Sequence, residues 1–187
     1  MLQIHWVVFV DALPCYYKKC TRCGGERFEN SGTFRVNANG KQLDVWLVCR
    51  CMECKSTWNL SVYERIGQNA LGETTYVSLL RNDAPLAMQT AFERTLLARN
   101  HVQIDVASLV WRVCGENVPY GEAARVTVSS ENDLPLPAIK VIARKLGLSS
   151  SCVKRLFTRG MLQFDGNLKK KETGRGFSFL LTQNWTG

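Results

Sequence analysis

The sequence predicts an α+β fold in three consecutive parts: a four-cysteine domain over residues 1–66, a helical connector over 67–104 and an α+β module over 105–187. Three observations carry this. Two Cys-x-x-Cys turns, Cys20–Cys23 and Cys51–Cys54, bracket a segment whose apolar residues alternate as strands do. Between 71 and 100 the apolar spacing changes to three and four residues, the period of a helix. From 138 to 157 two more helical patterns are followed by short alternating stretches, and the window from Pro135 to Arg175 that holds them carries a surplus equal to the chain's whole excess of positive charge.

The cysteines come first in the chain. Two Cys-x-x-Cys turns can present four thiolates tetrahedrally to Zn²⁺, an ion with no geometric preference of its own to resist that arrangement. Between them, "TFRVNANGKQLDVWLV" carries Asn39-Gly40, a hairpin signal, flanked by Phe34 and Val36 on one side and Leu43, Val45 and Leu47 on the other. A third strand is predicted over Thr57 to Glu64. Knuckle, hairpin, knuckle, strand is the layout of a zinc ribbon, with Cys20, Cys23, Cys51 and Cys54 as ligands of a structural zinc. Four thiolates close the coordination sphere and leave no position for water or substrate. Cys49 is a rival ligand two residues before Cys51, but using it instead would break the Cys-x-x-Cys turn. Cys15, Cys114 and Cys152 lack a partner at ligand spacing and read as small buried apolar residues. Neither Cys-x-x-Cys opens a helix that would depress a thiol pKa, which argues against thioredoxin-type redox chemistry.

The segments "KKCTRC", "FRVNANGKQLDVWLVCRC", "MEC" and "TWNLSVYER" resemble the opening of an uncharacterised bacterial family catalogued as a domain of unknown function. The resemblance extends over most of the chain. It implies the architecture and brings no activity with it.

In the middle, Asp83 and Pro85 suit the cap and first turn of a helix whose apolar face is Met88, Ala91, Phe92, Thr95 and Leu96. A shorter helix is predicted from Glu73 to Arg81. Strands are expected over 109–113 and 124–129, joined by a loop with Pro119 and Gly121. His5 and His101, the two histidines, stand beside no carboxylate motif. The chain has neither a glycine-rich phosphate loop nor a nucleophile elbow. An enzyme is therefore the weaker reading, and no catalytic residue is named.

The C-terminal part supplies the functional expectation. Ala138, Ile139, Ile142 and Leu146 share one face of a helix, Gly147 makes a turn, and Ser149 or Ser150 caps a second helix with Val153, Leu156 and Phe157 facing inward. From Pro135 to Arg175 ten basic residues stand against Asp165 and Glu172, a surplus equal to the entire +8, so the rest of the chain is neutral. Charge confined to one module is the footprint of a polyanion-binding face. Read as far as Gly160, the pair is a helix-turn-helix with 149–159 as a DNA recognition helix. The continuation differs: a short strand from Leu162 to Phe164, an Asp165-Gly166 turn, a basic stretch from Leu168 to Lys171, and an apolar strand from Phe177 to Leu181. Through "LGLS", "VKRLFTRG" and "LQFDG" this layout resembles the S-four-type (alpha-L) RNA-binding domain. The resemblance implies that two helices and the following loop grip folded RNA by its phosphates, here through Lys140, Arg144, Lys154, Arg155, Arg159 and Lys169, with Lys170 and Lys171 beside them. The chain departs from that pattern with Ser150 in place of an arginine after the capping serine, and with Gly174-Arg175 in place of a Gly-Asp pair.

The chain's start has a short apolar run with no basic residue before it and Asp11 directly after, which does not fit a signal peptide. No run approaches the ~20 apolar residues of a membrane span. The expected setting is cytoplasmic, where paired thiols hold metal more often than disulfides. The sequence reading is a non-catalytic, zinc-containing protein that binds structured RNA, ribosomal or tRNA-like, and does not bind a membrane. Two alternatives stay open: a DNA-binding helix-turn-helix regulator, and a protein-interaction module or unrecognised enzyme. Oligomeric state is not legible.

Overall fold

The computed structural model describes residues 1–164 and 172–185. In chain order these form β1 (Leu2–Val10), β2 (Cys15–Tyr17), β3 (Arg27–Asn39), β4 (Gln42–Cys51), β5 (Thr57–Gly67), α1 (Gln68–Leu71), α2 (Glu73–Leu80), α3 (Ala84–Ala91), α4 (Arg94–Arg99) and β6 (Gln103–Ile104). After a 3-10 turn at Val106–Ser108 come β7 (Trp111–Gly115), β8 (Ala124–Pro137), α5 (Ala138–Leu146), α6 (Ser150–Thr158), β9 (Leu162–Phe164) and β10 (Glu172–Leu181). The chain is thus mixed α+β, with two sheets and six α-helices among the described residues. It divides into two compact units, one built from Met1–Asp11 and Val110–Gly187, the other from Ala12–Leu109. The sequence reading placed its boundaries after 66 and 104. The difference comes from β1, whose alternating Ile4, Trp6 and Val8 mark it as a strand but do not say which strand it joins.

The inserted unit, 12–109, is a five-stranded antiparallel sheet in the order β5-β4-β3-β2-β6. Leu43, Val45, Leu47, Cys49 and Cys51 alternate along one face of β4 and are all buried. The β3–β4 pairing runs from Phe34 opposite Leu47 to Asn39 opposite Gln42, so the turn residues are Gly40 and Lys41 rather than Asn39 and Gly40. Gly40 has φ +61° and Lys41 does not have a positive φ, which fits the glycine-first hairpin turn and not the type I′ form. The predicted 83–96 helix is two helices. Asp83 caps α3 by accepting from the Leu86 N–H at 2.9 Å, as expected, but the Glu93 carboxylate accepts from the N–H groups of Thr95 and Leu96 and starts a new helix there. Ala91, Phe92, Leu96 and Leu97 are buried across the break, while Thr95, expected on the apolar face, is exposed. The outer edge of β5 is closed by α4 and its cap: Asn100 bonds both the N–H and the C=O of Ser61, and the Arg99 guanidinium donates to the carbonyls of Ser61 and Val62. A strand edge filled in this way is protected from pairing with another chain.

The terminal unit is a second five-stranded sheet, β7-β1-β8-β10-β9, in which β1 and β8 are parallel and the other pairs antiparallel. Ile4, Trp6, Val8, Val126, Val128, Phe177, Phe179 and Leu181 are among its buried strand residues, and Ile139, Ile142, Val153 and Leu156 among those buried on α5 and α6. Trp6 meets Phe179 at 5.5 Å between ring centroids, and its indole donates to the Glu116 carbonyl. Gly115, at φ +129°, ends β7 against β1, where a Cβ would collide with the His5 carbonyl and the Trp6 ring; only glycine fits. The predicted strand at 109–113 is shifted to Trp111–Gly115, and that at 124–129 runs on to Pro137, where α5 begins. The α5–α6 turn is as predicted. Gly147 is left-handed (φ 67°, ψ 25°), the Leu148 N–H reaches the Ala143 carbonyl, and Ser149 Oγ accepts from the Cys152 N–H. Phe157, expected to face inward, is 38% exposed. The predicted Asp165-Gly166 turn and the basic stretch from Leu168 to Lys171 lie outside the described residues. No helix among the described residues is long and apolar enough to cross a membrane.

Candidate metal centre and basic helix pair

Sheet connectivity brings the four cysteines together. In an antiparallel run β2-β3-β4-β5, successive turns alternate between the two ends, so the β2–β3 and β4–β5 connections share one end. The first connection carries Cys20 and Cys23, and the second begins at Cys51 and carries Cys54. Phe28 opposite Cys51, and the Met52 N–H bonded to the Arg27 carbonyl, fix the distance between them. Both turns use the same backbone scheme. The Cys20 N–H bonds the Gly25 carbonyl and the Gly24 N–H bonds the Cys20 carbonyl; the Cys51 N–H bonds the Ser56 carbonyl and the Lys55 N–H bonds the Cys51 carbonyl. The residue after each second cysteine is left-handed, Gly24 at φ +81° and Lys55 at φ +60°.

The resulting sulfurs all lie within 4.8 Å of one another. Cys20 Sγ is 3.7 Å from Cys54 Sγ, and Cys23 Sγ is 3.6 Å from Cys51 Sγ. A tetrahedral ion with metal–sulfur bonds of about 2.3 Å needs sulfur–sulfur edges of about 3.8 Å. The cluster therefore fits a metal ion such as zinc. All eight cysteines are free thiols. Ser56 Oγ lies 3.3 Å from Cys20 Sγ and 3.0 Å from Cys54 Sγ. Its hydroxyl, with the backbone at Cys23, holds the Cys20 thiol down to about 6, and it lowers Cys54 as well. At Cys23 the Gly25 N–H works downward, but the neighbouring sulfurs of Cys54, Cys51 and Cys20, with desolvation, outweigh it and push that thiol up to about 12. Four sulfurs this close resist joint ionisation, and a bound cation removes that resistance. Cys20 and Cys51 are buried and Cys54 half-buried; Cys23 is exposed and lines a polar cleft of about 500 Å³ with Tyr17, Glu26, Arg27 and Glu53.

Cys49 lies outside this cluster. It sits one alternation back on β4, fully buried, its thiol pushed up to about 12 by burial and then by Cys15. Cys15, Cys114 and Cys152 are half-buried rather than buried. Cys152 is also polar in its contacts: Ser149 and Arg155, whose guanidinium nitrogen is 2.9 Å from the sulfur, lower its pKa.

The basic residues fall into three groups. Lys140, Lys154, Arg155 and Arg159 are exposed on α5, on α6 and at its end, and among the described residues none is paired with a carboxylate. Arg144 is committed to the fold: its guanidinium lies 3.6 Å from the centre of the Trp111 ring and donates to the Trp111 carbonyl. Lys145 donates likewise to the Gly115 carbonyl and to Asn117, so α5 closes the outer edge of β7 as Arg99 and Asn100 close that of β5. Lys169, Lys170 and Lys171 lie outside the described residues. From Leu134 to Phe164 the chain contains no Asp or Glu. His5, set aside in the sequence, pairs Nε2 with Ser129 Oγ at 2.8 Å; a one-sequence reading has no means of finding a contact made across parallel strands.

A family model described as "Protein of unknown function (DUF1062)" matches residues 36–167, more than half of the chain, and the chain belongs to that family. The match includes Cys51, Cys54 and both helices of the basic pair, and begins after Cys20 and Cys23. No curated protein and no solved structure matches.

Proposed function

We propose that this DUF1062 member is a non-catalytic binding protein for structured RNA, held together in its inserted unit by one structural zinc ion. Exposed cations on α5 and α6 would grip the RNA through its phosphates, as the resemblance to the S-four-type domain implies. The observation that carries the reading is the acid-free stretch from Leu134 to Phe164, whose Lys140, Lys154, Arg155 and Arg159 are exposed and, among the described residues, have no carboxylate partner. Unpaired, uncompensated cations on one helix pair favour a polyanion, because binding releases the counterions that phosphates condense. RNA is favoured over DNA by the scarcity of base-reading groups. Helix α6 presents no Asn or Gln, and Arg155, one of its two candidates for guanine with Arg159, is turned to Cys152. A-form RNA is read by phosphates and shape, which need none of these. Zinc is supported by the sulfur geometry and by the all-thiolate donor set, which leaves no position for substrate.

The test is fluorescence anisotropy of the full chain with a stem-loop RNA and with a DNA duplex of matched phosphate number, at equal salt. Tighter binding of the RNA, weakening steeply as salt rises, is the expected result. Tighter, sequence-selective binding of the DNA would replace this reading with a helix-turn-helix regulator using 149–159.

A further inference from the structure

Phe157 is the one position on α6 where a large apolar side chain meets solvent, with 38% of its surface exposed. Single exposed apolar residues are ordinary on protein surfaces. The setting of this one is not. Three cations, Lys154, Arg155 and Arg159, stand within three residues of it on the same helix and its end, all exposed, and no acidic residue occurs nearby in sequence. A purely apolar partner would have to desolvate those charges, and a partner that is only phosphate would leave the ring in water.

Resting on the RNA reading, we infer that Phe157 is a stacking platform for an unpaired base, so that the RNA recognised has a loop or bulge beside its helix rather than being a blunt duplex. A nucleotide offers both halves of what this surface needs, a flat π-face for the ring and a phosphate for the cations. Residues three apart on a helix have Cβ atoms about 5–6 Å apart, which puts Lys154 one turn from Phe157 and in reach of the phosphate flanking a base on the ring. Leu156 and Val153 are buried and hold the helix in the core, so stacking on Phe157 requires little further ordering of the backbone.

The experiment compares a stem-loop RNA with a blunt RNA duplex of equal phosphate number, for the full chain and for Phe157→Tyr, Phe157→Leu and Phe157→Ala. Phe157→Leu retains most of the packing volume and serves as the folded control, checked by thermal melting. Base–aromatic stacking sets the expected loss at about 5-fold or more. Phe157→Ala and Phe157→Leu should lose that much affinity for the stem-loop and none for the duplex, while Phe157→Tyr holds wild-type affinity. With 5-iodouridine in the loop, ultraviolet crosslinking should map to Phe157. If all three variants bind both RNAs as the wild type does, or the crosslink maps elsewhere, the platform is wrong and the phosphate reading survives. If the wild type binds neither RNA, both fall together.

Discussion

At the cysteine cluster, the first cysteine of each turn is pinned by two backbone hydrogen bonds, repeated in both turns, and the sheet register fixes the distance between the turns. On α6, by contrast, Lys154, Arg155 and Arg159 project from a helix whose position is set by Val153 and Leu156 on its other side. The first region derives its geometry from the backbone and uses it to gather four sulfurs at distances that fit a metal ion. The second derives only its rigidity from the fold and turns its charge outward. One should therefore be sensitive to any change of geometry and the other to any change of charge. Substitutions that exchange these sensitivities would break the contrast.

The largest effect is expected at the cluster. Structural zinc contributes about 10–16 kcal/mol in small zinc-dependent peptides, so Cys51→Ser should release the metal and destabilise residues 12–109 by at least ~3 kcal/mol. Metal analysis should fall from about one zinc per chain. Hydrogen exchange should rise in β3, β4 and β5 while β1, β8 and β10 stay protected. Retention of full zinc after replacing both Cys51 and Cys54 would overturn the ligand set.

A smaller effect separates the two turns from each other. Gly24 and Lys55 hold the same left-handed position, which costs a residue with a Cβ roughly 1–2 kcal/mol. Gly24→Ala should destabilise the inserted unit by about that amount, and Lys55→Gly should stabilise it by about 0.5–1 kcal/mol, both read from urea midpoints with metal bound. If neither substitution shifts stability in its expected direction, the turns do not share their backbone scheme.

Cys49→Ala is smaller again. Removing a buried thiol from β4 should cost about 1 kcal/mol of packing and leave the zinc content unchanged, because its sulfur lies outside the cluster. If Cys49→Ala loses the metal and Cys51→Ala keeps it, the turn from 51 to 54 is not the ligand pair.

The same contrast governs how much was legible in the sequence. The cluster was readable because ligand spacing is local and the hairpin carries it; even the shifted hairpin turn does no harm. Moving the turn from Asn39-Gly40 to Gly40-Lys41 slides the pairing by two residues, so every side chain keeps its face and the apolar pattern cannot tell the two apart. Long-range pairing was not readable. Nothing in "QIHWVVFV" indicates that β1 runs parallel to β8, about 120 residues away, with a whole unit inserted between. The helix break at Glu93 escaped because 91, 92, 95 and 96 keep helical spacing across it, and glutamate is a weak cap signal. Phe157 lies 100° around the helix from Leu156, close enough to the buried stripe to be assigned to it and far enough to be exposed. Arg144 looked like its neighbours as a charge. Only the position of Trp111 beneath it shows that it belongs to the fold.

The contrast is tested most directly by the salt dependence of stem-loop RNA binding for Lys154→Ala/Arg155→Ala/Arg159→Ala beside the wild type, with zinc content and melting temperature measured on the same samples. Each lost phosphate contact should flatten the slope of log K against log salt by about 0.7–0.9. The expected result is a slope shallower by about 2 to 3, with zinc and melting temperature unchanged. An unchanged slope in a folded, zinc-loaded variant would contradict the assignment of RNA binding to this helix.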